Sequence, residues 1–239
     1  MCFYVLRSKH FKKYLTHFKA TFIDRVRALK IIKIGAPVAM QYSFEISAFS
    51  GAAVLIGTIG AVEQAAHQIA ISLAAMTYMM ASGVASAATI KTGTNLGKKN
   101  FDDLRKSAIA SYHVILLFMT CTAVIFVLAH NIMPFIYTED LSVVAIAAQL
   151  LIIAGFFQLF DGTQVVGLGV LRGLGDVNIP TFITFLAYWV VGIPVGYLLG
   201  FKFNLGVNGI WYGLTFGLLT ASILLFLRFQ NKTKALNNQ

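Results

Sequence analysis

The stretch FFQLFDGTQVVGLG, from Phe156 to Gly169, has the composition of the middle of a membrane helix and carries one charged residue, Asp161. Apart from Asp161, the chain has no charged residue from Leu141 to Leu171. A spanning helix needs about 20 mostly apolar residues, and a carboxylate at its centre costs roughly 2.5–3.5 kcal/mol on insertion scales. The stretch therefore predicts a transmembrane helix whose aspartate must be compensated elsewhere in the molecule.

The rest of the chain has the composition of an all-α membrane protein. Of its 239 residues, 58% are hydrophobic and 12% are charged, and the mean hydropathy is +0.76. So little charge excludes an ordinary soluble domain of this length. Six runs of spanning length carry at most one charge in their interior, and they predict six transmembrane helices over about 31–57, 64–90, 107–131, 143–171, 178–200 and 206–228.

The same pattern predicts how the chain is organised. Residues 1–30 are expected to form a basic cytoplasmic linker that includes the end of a preceding helix. Residues 31–229 are expected to form one six-helix transmembrane lobe, and residues 230–239 a cytoplasmic tail. Because the loops between the spans are short, any function must lie among the helices.

Positive charge is concentrated on one side of the predicted spans. All 19 Lys and Arg residues except Lys202 lie in segments that are expected to share that side. By the positive-inside rule, this excess predicts that both termini are cytoplasmic. The net charge of +10 is then explained by topology and by contact with the lipid bilayer, and it does not indicate binding of nucleic acid.

Two of the nine acidic residues, Glu45 and Asp161, are predicted to lie deep in the membrane. No Lys or Arg is expected at that depth, so each carboxylate must be protonated, face a water-filled cavity or bind an external cation. The alternative is a neutral carboxyl that hydrogen-bonds a neighbouring helix. Helical spacing places Gln41 beside Glu45 and Gln164 beside Asp161 as supporting polar residues. Gln68, near the outer end of the second span, is a further candidate.

Other motifs indicate helix packing rather than chemistry. Pro37 and Pro194 lie inside spans, where each frees a carbonyl and forms either a tolerated kink or a hinge. The glycines from Gly167 to Gly175 lack the spacing and the preceding strand of a nucleotide-binding loop, so they predict close helix packing and a tight turn. No His, Cys and Asp set has ligand or nucleophile spacing, and the sequence predicts neither an enzyme nor a bound cofactor.

Several segments together resemble one known family. The segment GAPVAMQYSFEISAF (35–49) resembles the opening helix of the C-terminal lobe of multidrug and toxic compound extrusion (MATE) transporters, with a proline eight residues before a glutamate. Four further segments resemble successive parts of that lobe: AAHQIA (65–70), KTGTNLG (91–97), LFDGTQVVGLGVLRGLGDVNIP (159–180) and YWVVGIPVGYLLG (188–200). The resemblance covers almost the whole chain in the right order, and it points to the sodium-coupled bacterial branch.

The resemblance implies a fold and a mechanism. The fold is one six-helix lobe of a twelve-helix transporter, and family members expel cationic, amphipathic compounds as two such lobes rock about a central cavity. Glu45 and Asp161 match the glutamate and aspartate of the cation site, where the coupling ion is sodium or a proton. The sodium-coupled branch has a tyrosine one helical turn before that aspartate, where this chain has Phe157. The substitution removes one oxygen ligand from the expected sodium site.

The length departs from the family, because the chain matches only the second lobe. The resemblance therefore implies half of a cation-coupled multidrug antiporter of the bacterial cytoplasmic (inner) membrane, which requires an N-terminal six-helix lobe as partner. A truncated or split reading frame is expected, since Met1 falls where an interior helix would be ending. Two alternatives remain: an inactive remnant that inserts into the membrane, and a lipid-linked oligosaccharide flippase of related fold.

Overall fold

The computed structural model describes residues 25–237, apart from the side chains at 27, 30 and 237, and it consists of six long helices. Their bounds are α1 (Arg25–Gly57), α2 (Ala61–Gly97), α3 (Phe101–Ala129), α4 (Leu141–Gly173), α5 (Asn178–Lys202) and α6 (Gly206–Asn237). A short 3-10 turn, Met133–Ile136, precedes α4. The opening of α1, up to Ala36, belongs to a separate compact unit, and every contact described below lies in the second unit, from Pro37 onward.

The six predicted helices are all observed. Five of them, α2 to α6, are long and apolar enough to cross a membrane. Helix α1 has the length but carries Gln41 and Glu45 within its apolar stretch. The helices extend beyond the predicted spans mostly at the ends that carry Lys and Arg. Residues 230–237, predicted as a tail, continue α6, while most of the predicted linker lies outside the described residues.

Helix α4 is the most buried of the five apolar helices. Of its most apolar stretch, 61% is buried inside the protein, against 17% for α3. It packs against α2, α3 and α6. The contact with α2 is close, because Gly169 has no side chain. A Cβ atom at that position would collide with the carbonyl oxygen of Ala85. The hydroxyl of Thr89 on α2 donates to the carbonyl of Gly169 at 2.8 Å, which satisfies a polar group inside the membrane region.

Helices α5 and α6 pack through two facing stripes of glycine at every fourth position. The stripe on α5 is formed by Gly192, Gly196 and Gly200, and the one on α6 by Gly209, Gly213 and Gly217. A Cβ atom on Gly213 would overlap the backbone of Gly196, so the two helices approach more closely than any side chain permits. Small residues at this spacing let membrane helices gain van der Waals contact along their length.

The two prolines inside the spans have different surroundings. Helix α1 continues through Pro37, whose own carbonyl accepts a hydrogen bond from the Thr181 hydroxyl at 2.9 Å. Pro194 begins a short α-helical segment, Ile193–Tyr197, that is flanked by the π-helical turns Leu186–Gly192 and Leu198–Lys202. The irregular backbone of α5 thus extends on both sides of Pro194, whereas a hinge at either proline stays a prediction.

The turn between α4 and α5 is tight, as its glycines predicted. Gly175 has a positive φ of 71°, which favours glycine. Asp176 follows it and forms an ion pair of 2.7 Å with Arg228 on α6. At the opposite end of α4, Asp140 caps the helix by accepting from the Ser142 hydroxyl at 2.6 Å and the Ser142 amide at 2.9 Å. These hydrogen bonds hold the pKa of Asp140 below its usual range.

Candidate functional site

The two predicted membrane carboxylates line the same cavity, which has a volume of about 400 Å³. Glu45 reaches it from α1 and Asp161 from α4, and their residues are only 5% and 4% exposed. Among the residues that the structure describes, neither carboxylate has a hydrogen-bond or ion-pair partner. Two acidic groups without protein partners therefore share one largely buried space.

The cavity lies between regularly spaced faces of three helices. On α4, Phe157 and Asp161 are one turn apart, so they point the same way. The other lining residues on α1 and α2 follow the same three- and four-residue spacing, and they are mainly apolar or aromatic. These are Tyr42, Ile46 and Phe49 on α1, and Ile71, Ala74, Ala75, Tyr78 and Met79 on α2.

A second, smaller pocket of about 40 Å³ lies beside this cavity and includes Arg172, from the last turn of α4, in its lining. It shares Tyr42, Glu45 and Tyr78 with the larger cavity. Its remaining lining includes Gln41, Ser82, Ser86 and Arg172 among polar residues. A guanidinium group therefore lies in the same small space as Glu45, although the sequence placed no cation near the carboxylates.

The predicted supporting amides differ in their relation to the carboxylates. Gln41 lines the small pocket beside Glu45, is 3% exposed, and leaves its Nε2 without a partner among the described residues. Gln164 is completely buried and accepts from the Tyr188 hydroxyl at 2.8 Å. Gln41 is thus placed to contact a group bound at Glu45, whereas Gln164 is fixed to α5 and lines neither pocket.

The prediction for Gln68 is not supported by its position. Its side chain is exposed, its Nε2 lies 3.4 Å from the Ser72 hydroxyl, and it lines neither pocket. Gln68 lies within one helical turn of Ile71, which lines the cavity, but its amide contacts Ser72 on its own helix. A role for Gln68 at Glu45 or Asp161 stays a prediction.

Sequence reasoning missed Tyr42 and Tyr78, which line both pockets. A tyrosine supplies a hydroxyl oxygen and an aromatic face that attracts cations. Phe157, which replaces the tyrosine expected from the resemblance, is 2% exposed and also lines the cavity. The position of Tyr42, directly after Gln41 and three residues before Glu45, could have indicated that it lies near the carboxylate. No neighbouring residue in the sequence indicated the same for Tyr78.

Aromatic rings pack around Phe157 beside the carboxylate cavity. The rings of Phe157 and Trp211 lie 5.4 Å apart, and those of Phe49 and Phe157 lie 6.0 Å apart. The Trp211 indole N–H donates to Nδ1 of His67 at 3.2 Å, so Nδ1 is the acceptor nitrogen of that ring. His67 is therefore a packed, hydrogen-bonded core residue.

The donor set suits a hard cation. Carboxylate, amide and phenol oxygens are the ligands that such ions prefer. The described residues contain no cluster of three His, Cys, Asp or Glu that could hold a metal ion. A cation in this cavity would meet Glu45 and Asp161 as its charged ligands, and aromatic rings on the remaining sides.

Comparison with protein families and known sequences gives consistent matches. The MatE family model matches residues 37–198. A probable multidrug resistance protein NorM of Xanthomonas axonopodis pv. citri is 38% identical over 213 residues, which are 89% of this chain and 46% of the relative. The multidrug resistance protein MdtK of Edwardsiella ictaluri is 35% identical over 84% of this chain and 45% of the relative. The chain thus spans about half the length of these relatives.

Solved structures give the same fold. The crystal structure of the eukaryotic MATE transporter AtDTX14 superposes with a TM-score of 0.86 at 20% identity, covering 99% of this chain and 54% of that one. An outward-facing multidrug resistance MATE family transporter of the MOP superfamily superposes with a TM-score of 0.84 at 18% identity, covering 92% of this chain and 50% of that one. The six helices are therefore arranged as one half of a twelve-helix fold.

Proposed function

The chain belongs to the MATE family of membrane transporters, and from this we propose that it forms one half of a cation-coupled multidrug antiporter. Glu45 and Asp161 bind the coupling cation, which is sodium or a proton. An N-terminal six-helix lobe supplies the other wall of the transport pathway. Cationic, amphipathic compounds are the exported substrates.

The observation that carries this proposal is the shared cavity of Glu45 and Asp161. Two carboxylates without protein partners are costly in a membrane, and a bound cation or proton offsets that cost. The lining of the large cavity contains no Lys or Arg, and the guanidinium of Arg172 lines only the small pocket that also contains Glu45. Apolar and aromatic residues of α1 and α2 form most of the remaining lining.

The aromatic lining supports the proposed substrate class. Tyr42, Phe49, Tyr78 and Phe157 present rings to the cavity, and Met79 adds a polarizable side chain. Aromatic faces attract organic cations, while flexible methionines accommodate different shapes. Such a surface suits substrates that share positive charge and hydrophobicity but differ in structure.

Coupling requires that the cation and the drug favour different states of the transporter. A cation bound between Glu45 and Asp161 offsets part of the negative charge that attracts a cationic drug. Binding of one therefore weakens binding of the other. Exchange across the membrane follows when this half and its partner lobe move against each other.

The direct test replaces either carboxylate by its amide. The chain is assembled with a matching N-terminal lobe in liposomes, and uptake of a cationic dye driven by a sodium or proton gradient is measured. Glu45→Gln and Asp161→Asn should each reduce gradient-driven uptake to background without reducing the amount of inserted protein. Asp102→Asn, an exposed carboxylate at the start of α3, is the matched control. Full uptake by Asp161→Asn would contradict the site and favour a neutral structural carboxyl.

Phe157 gives a complementary gain-of-function test. Phe157→Tyr adds one hydroxyl oxygen at a buried position that lines the cavity, one turn before Asp161. We expect the affinity for sodium to rise by about tenfold, which corresponds to one added hydrogen-bond-strength contact of about 1.4 kcal/mol. Phe156→Tyr, on an exposed side chain of the same helix, should leave the affinity unchanged.

The need for a second lobe has its own test. Because alternating access moves one repeat against another, the purified chain alone should show no ion-driven drug uptake, and a cognate N-terminal lobe should restore it. Robust transport by the chain alone would favour a homodimer. Absence of transport even with the added lobe would favour the inactive remnant, whereas transport of an anionic lipid-linked sugar would favour the flippase.

The proposed location is the bacterial cytoplasmic membrane with both termini inside. In a background without Cys2 and Cys121, single cysteines at Asp140 and Lys202 should react with an impermeant reagent added to intact cells. A cysteine at Asn100 should react only after the cells are permeabilised. The opposite labelling pattern would reverse the orientation derived from the Lys and Arg distribution.

A further inference from the structure

The small pocket of about 40 Å³ places Arg172 opposite Glu45. Glu45 lines both this pocket and the large cavity, whereas Arg172 lines only the small one. The lining of the small pocket therefore includes both a carboxylate of the proposed cation site and an arginine from the end of α4. A cation that leaves Glu45 in that direction meets the guanidinium group.

The directions of the two helices explain why these side chains converge. Two helical spans separate α1 from α4, so the two helices run in opposite directions across the membrane. Side chains tilt towards the N-terminus of their own helix. The Arg172 side chain consequently leans from the end of α4 towards the membrane centre, while Glu45 leans along α1 towards that same end.

Two hydrogen-bond donors of residues that line the pocket lack acceptors. The Arg172 Nε and the Gln41 Nε2 are both buried without a partner among the described residues. The guanidinium carbon lies 5.6 Å from the centre of the Tyr42 ring, which holds the cation over an aromatic face. Glu45 is the one carboxylate that lines this pocket, and it is the natural acceptor for both donors.

We propose that Arg172 is a tethered competitor of the coupling cation at Glu45, which lowers the cation affinity and assists release towards the end of α4. In the cation-free state the guanidinium and the Gln41 amide neutralise and hydrogen-bond Glu45 across the small pocket. An incoming sodium ion displaces them and leaves Arg172 over the ring of Tyr42. This inference rests on the proposed cation site and adds a positioning residue to it.

Removal of the competitor should strengthen sodium binding. An opposite charge within about 4–6 Å changes the proton affinity of a carboxylate by about tenfold or more. Competition for the same carboxylate should affect sodium in the same way, so Arg172→Gln is expected to raise the sodium affinity by about tenfold. Arg172→Lys retains the charge and should bind sodium with nearly the original affinity.

The experiment measures equilibrium binding of radioactive sodium to the purified chain in lipid nanodiscs. Arg105→Gln, which removes an exposed arginine from the start of α3, is the matched control and should not change binding. Glu45→Gln in the same assay reports whether the cation site itself exists. A general loss of structure weakens binding, so a gain in affinity separates the proposed role from a structural one.

The outcomes are distinct. Tenfold tighter binding in Arg172→Gln, with rescue by Arg172→Lys, supports the tethered competitor. Unchanged or weaker binding in Arg172→Gln, with binding lost in Glu45→Gln, overturns the inference while the cation site stands. Absence of sodium binding by the unmodified chain overturns both the sodium site and the competitor.

Discussion

The α5–α6 contact and the region between α1, α2 and α4 differ in how closely their helices pack. In the contact, glycines bring two helices so close that no Cβ atom fits between Gly213 and Gly196. In the cavity, aromatic side chains keep the helices apart and enclose about 400 Å³ around Glu45 and Asp161.

The difference shows how this fold combines stability with a polar site. Without a hydrophobic driving force inside the membrane, helices associate through close packing and hydrogen bonds. The glycine stripes supply that packing on one side of the lobe. The cavity on the other side retains partnerless carboxylates, which destabilise the fold but are available to a ligand.

The largest expected effect is on the close-packed side. Gly213→Leu places a side chain where the backbone of Gly196 lies, and should lower the free energy of unfolding by about 3 kcal/mol. Gly83→Leu is the matched control, because a Cβ atom on Gly83 meets nothing within 4 Å. Unfolding in mixed detergent micelles measures both. Equal stability of the two variants would show that the α5–α6 contact is not close-packed in the membrane.

In the cavity, a substitution is expected to raise the free energy of unfolding. Asp161→Leu removes a buried carboxylate and should raise the free energy of unfolding by about 2 kcal/mol, somewhat less than the insertion cost of a central charge. Sodium binding should be lost in the same variant. Asp102→Leu, at an exposed position, should change neither quantity. A lower stability of Asp161→Leu would instead identify Asp161 as a structural hydrogen-bonding group.

An intermediate effect is expected at the aromatic boundary between the two regions. His67→Phe leaves the buried Trp211 indole N–H without its acceptor and should cost about 1.5 kcal/mol of stability. Trp211→Phe should cost less stability in the His67→Phe background than in the unmodified chain, because the hydrogen bond is already lost and only the packing of the indole remains to lose. Fully additive losses in the double variant would show that His67 and Trp211 do not interact.

The smallest effect concerns the hydrogen bond between α2 and α4. Thr89→Val removes the 2.8 Å bond from the Thr89 hydroxyl to Gly169 and should cost about 0.6 kcal/mol, a usual value between membrane helices. Thr120→Val is the control, since its exposed hydroxyl donates to its own helix at Leu116. If Thr89→Val and Thr120→Val lower the free energy of unfolding equally, the hydrogen bond between α2 and α4 contributes nothing measurable to stability.

Much of the fold was predictable because the deciding signals are local. Spanning length and the absence of charge predicted all six helices, including α1 despite Glu45 within it. The same reasoning identified Glu45 and Asp161, since a carboxylate inside an apolar run is visible in the sequence. The tight turn at Gly175 was also predicted from its own glycines.

What the sequence by itself determined is therefore the set of helices, the position of the two carboxylates within α1 and α4, and the identity of their nearest neighbours along each helix. Only the tertiary structure decided that Glu45 and Asp161 share a cavity, that Tyr78 lines it, and that Gln68 does not. It also brought Arg172, distant in sequence, into the small pocket of Glu45. The physical reason is that apolar residues cover every face of a membrane helix, so hydropathy does not mark which faces meet. That choice is made by close contacts between distant residues, such as Ala85 with Gly169 and Gly196 with Gly213.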